Sequence, residues 1–233
     1  MIENPDKILL ELEFKFKGNL EQSMLQNKDC LGRLFIKSRA ISEIGLILKE
    51  IDGIRKDQIE ILKIFDEIFA DVITSIYFAG SALDKPAQMV LRRAFEMGVA
   101  IVFLWDLPHM FYAWKKHDQD LNFNEMLKHL TDKGYLSYLD DCISFNDKSQ
   151  FLRVEELQKI YGKLSNTIHG KISTFETNLK DRFQHNDSDW SDHLFLVETV
   201  LDEIINVLLK RFDVKAKLNQ KIPAFEKLNG GKV

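Results

Sequence analysis

Cysteine is scarce in this chain. Cys30 and Cys142 are the only two among 233 residues. Two thiols so far apart cannot build a disulfide framework or supply zinc-finger spacing, so the pattern suits a reducing cytoplasm and no metal site is expected. Neither charge sign dominates. With 32 Lys and Arg against 36 Asp and Glu the formal charge is -4, which excludes a global basic field for nucleic acid or anionic membrane and leaves only local contacts. Long apolar runs are missing too. The longest stretch without Asp, Glu, Lys or Arg, Val72 to Leu83, covers 12 residues, short of the roughly 20 that a helical span requires. The opening residues, Met-Ile-Glu-Asn-Pro-Asp, show no basic or apolar leader pattern. Catalytic signatures are equally absent. No Gly-Lys-Ser/Thr phosphate loop, G-x-G-x-x-G turn, H-E-x-x-H pair or G-x-S-x-G elbow occurs, which excludes a Walker-type nucleotide hydrolase.

Proline is rare as well, four in all at 5, 86, 108 and 223, and the chain is rich in Leu, Ile, Lys and Glu, so long helices are expected. Hydrophobic residues make up 45% of it, enough for a sizeable core. From Asp57 to Ala82, Ile61, Phe65, Ile68, Val72 and Ile76 recur at helical spacing, with Leu62, Phe69 and Ile73 widening the stripe. A second such stripe comprises Leu194, Val197, Leu201, Ile204, Leu208 and Phe212, and the Asn-Asp-Ser-Asp run at 186–189 offers cap chemistry before it. A third helix should start near Asp84-Lys85-Pro86 and end or kink at Asp106-Leu107-Pro108. A fourth should cover Phe151 to His169, with Gly170 as its stop. Shorter helices are expected around 36–51, 111–117, 124–130 and 134–143. The fold class is therefore all-α, a helical bundle of about six to eight helices.

One segment dissents. Leu10, Leu12, Phe14 and Phe16 alternate with Glu11, Glu13, Lys15 and Lys17 ahead of Gly18-Asn19, which is a strand pattern. It has no internal partner, so a frayed helix start, or an arm that adds to another subunit as a strand, stays open beside a short strand. Residues 214–233, with five lysines against Glu226, look like a basic, poorly packed tail, either solvated or partner-binding. The six histidines show no i,i+4 pairing with one another and are expected at the surface. Trp105, Phe111, Tyr112 and Trp114 gather around Pro108, as a plug at a bundle end or as a partner surface.

Two stretches carry candidate chemistry. In Leu91-Arg92-Arg93-Ala94-Phe95-Glu96, Arg92 and Glu96 share a face at i,i+4 and predict a partly enclosed ion pair, structural or phosphate-binding. In Tyr161-Gly162-Lys163-Leu164-Ser165-Asn166-Thr167-Ile168-His169-Gly170, Tyr161, Ser165 and His169 lie at i, i+4 and i+8, with Asn166 three residues before His169. His169 is then a candidate general acid or base oriented by Ser165 or Asn166, or a helix-end histidine satisfied by the last carbonyls.

An all-α chain with an Arg-Arg-x-x-Glu helix in its middle and a late Ser-Asn-x-x-His-Gly turn resembles the HEPN-like helical domains of bacterial phage-defence and conflict systems. The resemblance covers about 54–212, with 1–53 as an N-terminal arm and helices and 213–233 as the basic tail. It implies a metal-independent endoribonuclease site of the Arg-x(4–6)-His type, shared across a homodimer, with no cofactor. Where that pattern places arginine, this chain has Lys163, which keeps the charge and loses the guanidinium fork. Either Arg92 or Arg93 replaces it, or cleavage has been given up and binding kept. Two functions follow as expectations: a helical accessory or scaffold subunit of a multiprotein anti-phage defence complex containing an ATPase or nuclease, or a ribonuclease effector using His169, Lys163, Arg92, Asn166 and Ser165. Contact with RNA or DNA would run through Arg92-Arg93, Lys115-Lys116 and the tail, provided that these share a side.

Overall fold

The computed structural model describes residues 5–142, 151–168 and 183–229. In chain order the helices among them are α1 (Pro5–Leu25), α2 (Lys28–Lys49), α3 (Lys56–Ile61), α4 (Lys63–Gly80), α5 (Asp84–Asp106) and α6 (Pro108–His117). They continue with α7 (Phe123–Leu130), α8 (Lys133–Cys142), α9 (Val154–Ile168), α10 (Asp187–Phe212), α11 (Lys215–Lys221) and α12 (Pro223–Asn229). The all-α bundle expected from the periodicities is what forms, and no strand occurs among the described residues.

The bundle is organised around α5. Leu91, Ala94, Phe95 and the run from Gly98 to Trp105 are all buried, because α3, α4, α7, α9 and α10 pack around this helix. Its entry and exit follow the sequence closely. Pro86 lies in the first turn, where its missing N–H costs nothing, and Pro108 opens α6 after a bend of 119°. Gly98 permits the crossing with α10, since a Cβ there would stand 2.5 Å from Ile204 Cγ1. No single helix among the described residues is long and apolar enough to cross a membrane.

A buried polar tie holds three helices together. Ser75 Oγ on α4 donates to the Ala87 carbonyl on α5 at 2.8 Å, which commits its proton. His193 on α10 must therefore donate from Nε2 to Ser75 Oγ, 3.0 Å away. At the far end of α5, Asp106 receives Arg211 through Nε at 2.7 Å and through Nη2, and the Tyr135 hydroxyl donates to the same carboxylate at 2.7 Å.

Several expectations need correcting. The continuous helix over 57–82 is interrupted at Leu62, which separates α3 from α4 while keeping helical angles (φ -57°, ψ -24°). Residues 10–17 form neither strand nor arm but the middle of α1. Their alternation also fits a helix: Leu12, Phe16, Asn19 and Ser23 fall on one face, and Glu11–Lys15 and Glu13–Lys17 have the favourable i,i+4 order. That face is the anchored one. Asn19 donates to the Ser81 carbonyl at 3.2 Å and Ser23 to the Gly80 carbonyl at 2.9 Å. The tail is not poorly packed either, since α11 and α12 fold back onto α2 and bury Leu218, Ile222 and Phe225. Their four- and three-residue spacing makes an apolar face that the many lysines mask. The histidines are not uniformly superficial: His193 is 5% exposed, and burial, with a smaller effect of the Lys163 charge, lowers its pKa from 6.5 to about 4.

Candidate functional site

The two stretches singled out in the sequence meet in space. Arg92 and Glu96 stand one turn apart on α5, and the Arg92 guanidinium binds Glu96 Oε1 through Nε at 3.1 Å and Nη2 at 3.0 Å. Nη2 also donates to the Tyr161 hydroxyl on α9, 2.5 Å away, and Cζ lies 4.7 Å from the centre of that ring. Tyr161 is held in turn by a near-parallel stack on Phe123 of α7, with centroids 4.2 Å apart and planes within 6°. Phe123 rests on Phe95 of α5. One arginine thus ties α5 to α9 through a carboxylate, a phenol and an aromatic stack, and it is largely enclosed.

Arg93 turns to a different face of the helix. It binds Asp71 at 2.6 and 2.9 Å and Glu67 at 2.9 Å, both on α4. The two adjacent arginines therefore cannot address one phosphate together. On α9, Ser165 is buried and its hydroxyl oxygen has no hydrogen-bond partner among the described residues, Asn166 is half-buried, and Lys163 is exposed. The effect of Lys163 is felt at His193 on α10, where its charge adds to burial in disfavouring the imidazolium. His169, the centre of the expected catalytic strip, lies outside the described residues.

In the other basic clusters, two lysines are matched with carboxylates. Lys115 binds Glu60 at 2.9 Å and Lys221 binds Glu50 at 3.4 Å. Lys116 lies over the Tyr112 ring, 5.1 Å from its centre. Of the aromatic group around Pro108, Trp105 and Phe111 are buried, Trp105 packing edge-on against Phe212, whereas Tyr112 is exposed. Trp114 is partly buried against the core.

Sequence reasoning missed a second polar constellation, between α2 and α10. Lys37, nearly enclosed, binds Glu198 at 2.9 Å and Asp202 at 2.7 Å, and Arg33 adds bonds of 3.2 and 3.3 Å to Glu198. The Arg33 hydrogen bond is the main reason that the Glu198 carboxyl is held below its ordinary pKa. These residues form one wall of a cleft of about 530 Å³, with Arg153 and Lys215 on other sides and Ile205, Leu209 and Phe225 supplying apolar surface. Behind Arg153 lies Glu203, which it binds and whose pKa burial raises while the arginine opposes the shift. A signal was present in the sequence: Arg33 and Lys37 are i,i+4, as are Glu198 and Asp202, so two helices carry matched charge pairs.

Chemically, the α5–α9 site is a closed arrangement. A phosphate reaching Arg92 would have to displace both a carboxylate and a phenol, each making a charge-assisted hydrogen bond. No protein-family model, curated protein or solved structure matches this chain.

Proposed function

We propose that the chain is a non-catalytic helical subunit of a multiprotein bacterial anti-phage defence complex, acting through protein contacts. The defence context rests on the resemblance of the Arg-Arg-x-x-Glu and Ser-Asn-x-x-His-Gly motifs to HEPN-like domains. The choice of a subunit over an enzyme rests on one observation: Arg92 is occupied by Glu96 and Tyr161 while Arg93 is occupied by Asp71 and Glu67. Neither is free to take the place of the arginine that Lys163 lacks. A lysine gives a charge without the planar fork that grips a scissile phosphate.

A second reading, a metal-independent endoribonuclease, draws support from Ser165, whose hydroxyl is buried and without a hydrogen-bond partner among the described residues and which precedes His169 by four positions in the sequence. In that reading His169 moves the 2′-hydroxyl or leaving-group proton, Lys163 or Arg92 stabilises the phosphorane, and Ser165 or Asn166 orients the histidine. One experiment separates the two. Purified wild type, His169→Ala and Arg92→Ala are incubated with total RNA, and the same variants are tested for plaque reduction alongside the neighbouring gene products. A subunit leaves RNA intact and keeps plaque protection after His169→Ala. RNA cleavage that disappears in a normally melting His169→Ala protein would overturn the proposal.

A further inference from the structure

The outward face of α1 sets two large apolar side chains among charged ones. Phe14 is 82% exposed and Leu10 is 65% exposed, although both belong to a helix whose opposite face is pinned to α4 and the turn after it. Around them on this outward face stand Lys7, Glu11, Lys17, Gly18 and Glu21, so that the face follows a seven-residue spacing through Lys7, Phe14 and Glu21 and through Glu11 and Gly18. Single exposed apolar residues are ordinary; a spaced set bracketed by charges of both signs is a pattern for helix pairing.

We propose that α1 is a self-pairing surface, on which the α1 of a second copy of this chain docks antiparallel about a twofold axis at Phe14. The occupant is fixed by charge and size complementarity. Setting Phe14 against its own copy places Lys7 opposite Glu21, Glu11 opposite Lys17 and Leu10 opposite Gly18, each contact occurring twice by symmetry. Both charge pairs are of opposite sign, and the large apolar side chain meets the residue without one. A Cβ at Gly18 would have nothing within 4 Å, so the space that Leu10 of the copy would enter is open. A parallel arrangement would instead set each charge against itself. The intrachain Lys7–Glu11 bridge is long at 3.8 Å and exposed at both ends, so its loss on repairing costs little. Among the described residues, the contacts that hold α1 run through its other face, to α4, to the turn after it and to Phe183.

This inference is independent of the function proposed above. Its test is sedimentation velocity and light scattering of the full chain over about 1–100 µM, the range in which a helix-pair dimer of micromolar affinity assembles. The wild type is expected to dimerise with concentration and Phe14→Asp to remain monomeric, with unchanged melting of the dilute protein because the side chain is exposed. Glu11→Lys and Lys17→Glu alone should each weaken the dimer at least about tenfold, and the double exchange should restore it, since it regenerates opposite charges across the twofold axis. A chain that stays monomeric at the top of that range overturns the proposal, as does a dimer indifferent to Phe14→Asp. A double exchange no better than the single ones has the same consequence, and this arm stands even if Phe14→Asp fails to fold.

Discussion

Helices α1 and α5 are of similar length, 21 and 23 residues, and both carry several Leu and Phe residues, yet one displays apolar residues while the other hides them. α5 has α3, α4, α7, α9 and α10 around it and α6 against its end, so nearly any apolar residue it carries finds a neighbour. α1 has an anchored stripe only, and Leu10 and Phe14 are left on its outer side. Composition therefore does not decide burial; the number of neighbours does, and it is set by chain topology. Where a surface helix keeps apolar residues without neighbours, a further partner is the physical explanation to pursue.

That contrast can be broken or sharpened by mutation and pH. The largest effect is expected at the end of α5, where Arg211→Ala strands Asp106 in a buried site and should cost on the order of 3–5 kcal/mol in chemical denaturation. Next comes acid. His193 titrates at 6.5 when unfolded and at about 4 when folded, so the unfolded chain binds the proton more readily. Its contribution is complete above pH 6.5 and is lost as the pH falls toward 4, amounting to about 3 kcal/mol across that window. Denaturation midpoints of wild type and His193→Gln between pH 7 and 5 should converge as the pH drops. If the wild type loses no more stability than the variant, the buried neutral histidine is refuted.

The third prediction concerns the glycines. Gly98→Ala on α5 drives a methyl into Ile204 and should destabilise by about 1–3 kcal/mol. Gly18→Ala on α1 meets open space and removes backbone freedom from the unfolded chain, so it should stabilise the dilute monomer by about 0.5–1 kcal/mol. Equal effects at the two positions would remove the distinction between the central and peripheral helices.

How much could be read in advance follows from the range of each interaction. α4 and α10 carry strong 3.6-residue periodicity: Phe65, Ile68 and Val72 and then Leu194, Val197, Leu201, Ile204 and Leu208 are buried as the spacing predicts, whereas Ile73, drawn into the wider α4 stripe, is exposed. Asn186 caps α10 as its residue type suggests, its side chain accepting from the Ser188 and Asp189 amides. α1 misled because strict alternation is a two-residue signal, while the Glu-to-Lys i,i+4 order in the same residues spoke for a helix. Lysines in the C-terminal segment concealed the apolar face formed by Val214, Leu218, Ile222 and Phe225. In the site, Arg92–Glu96 was legible because it is local. The Tyr161 contact, 69 residues away, and the binding of Arg33 and Lys37 to Glu198 and Asp202 depend on which helices become neighbours. Spacing within one helix does not encode that.

The α2–α10 pairing also bears on how the protein is made. Lys37 reaches Glu198 across 161 residues of chain, and α11 and α12, which cover the same helix, are synthesised later still. At translation rates of about 5–20 residues per second, the partners of α2 emerge roughly 10–30 s after α2 itself. During that interval the buried residues of α2, among them Leu34, Ile41, Ile44 and Leu48, lack the cover that α10, α11 and α12 provide, while α4 is already made. Until α10 has emerged the nascent chain thus carries α2 incompletely covered, which makes this stretch a predicted client for ribosome-associated chaperones.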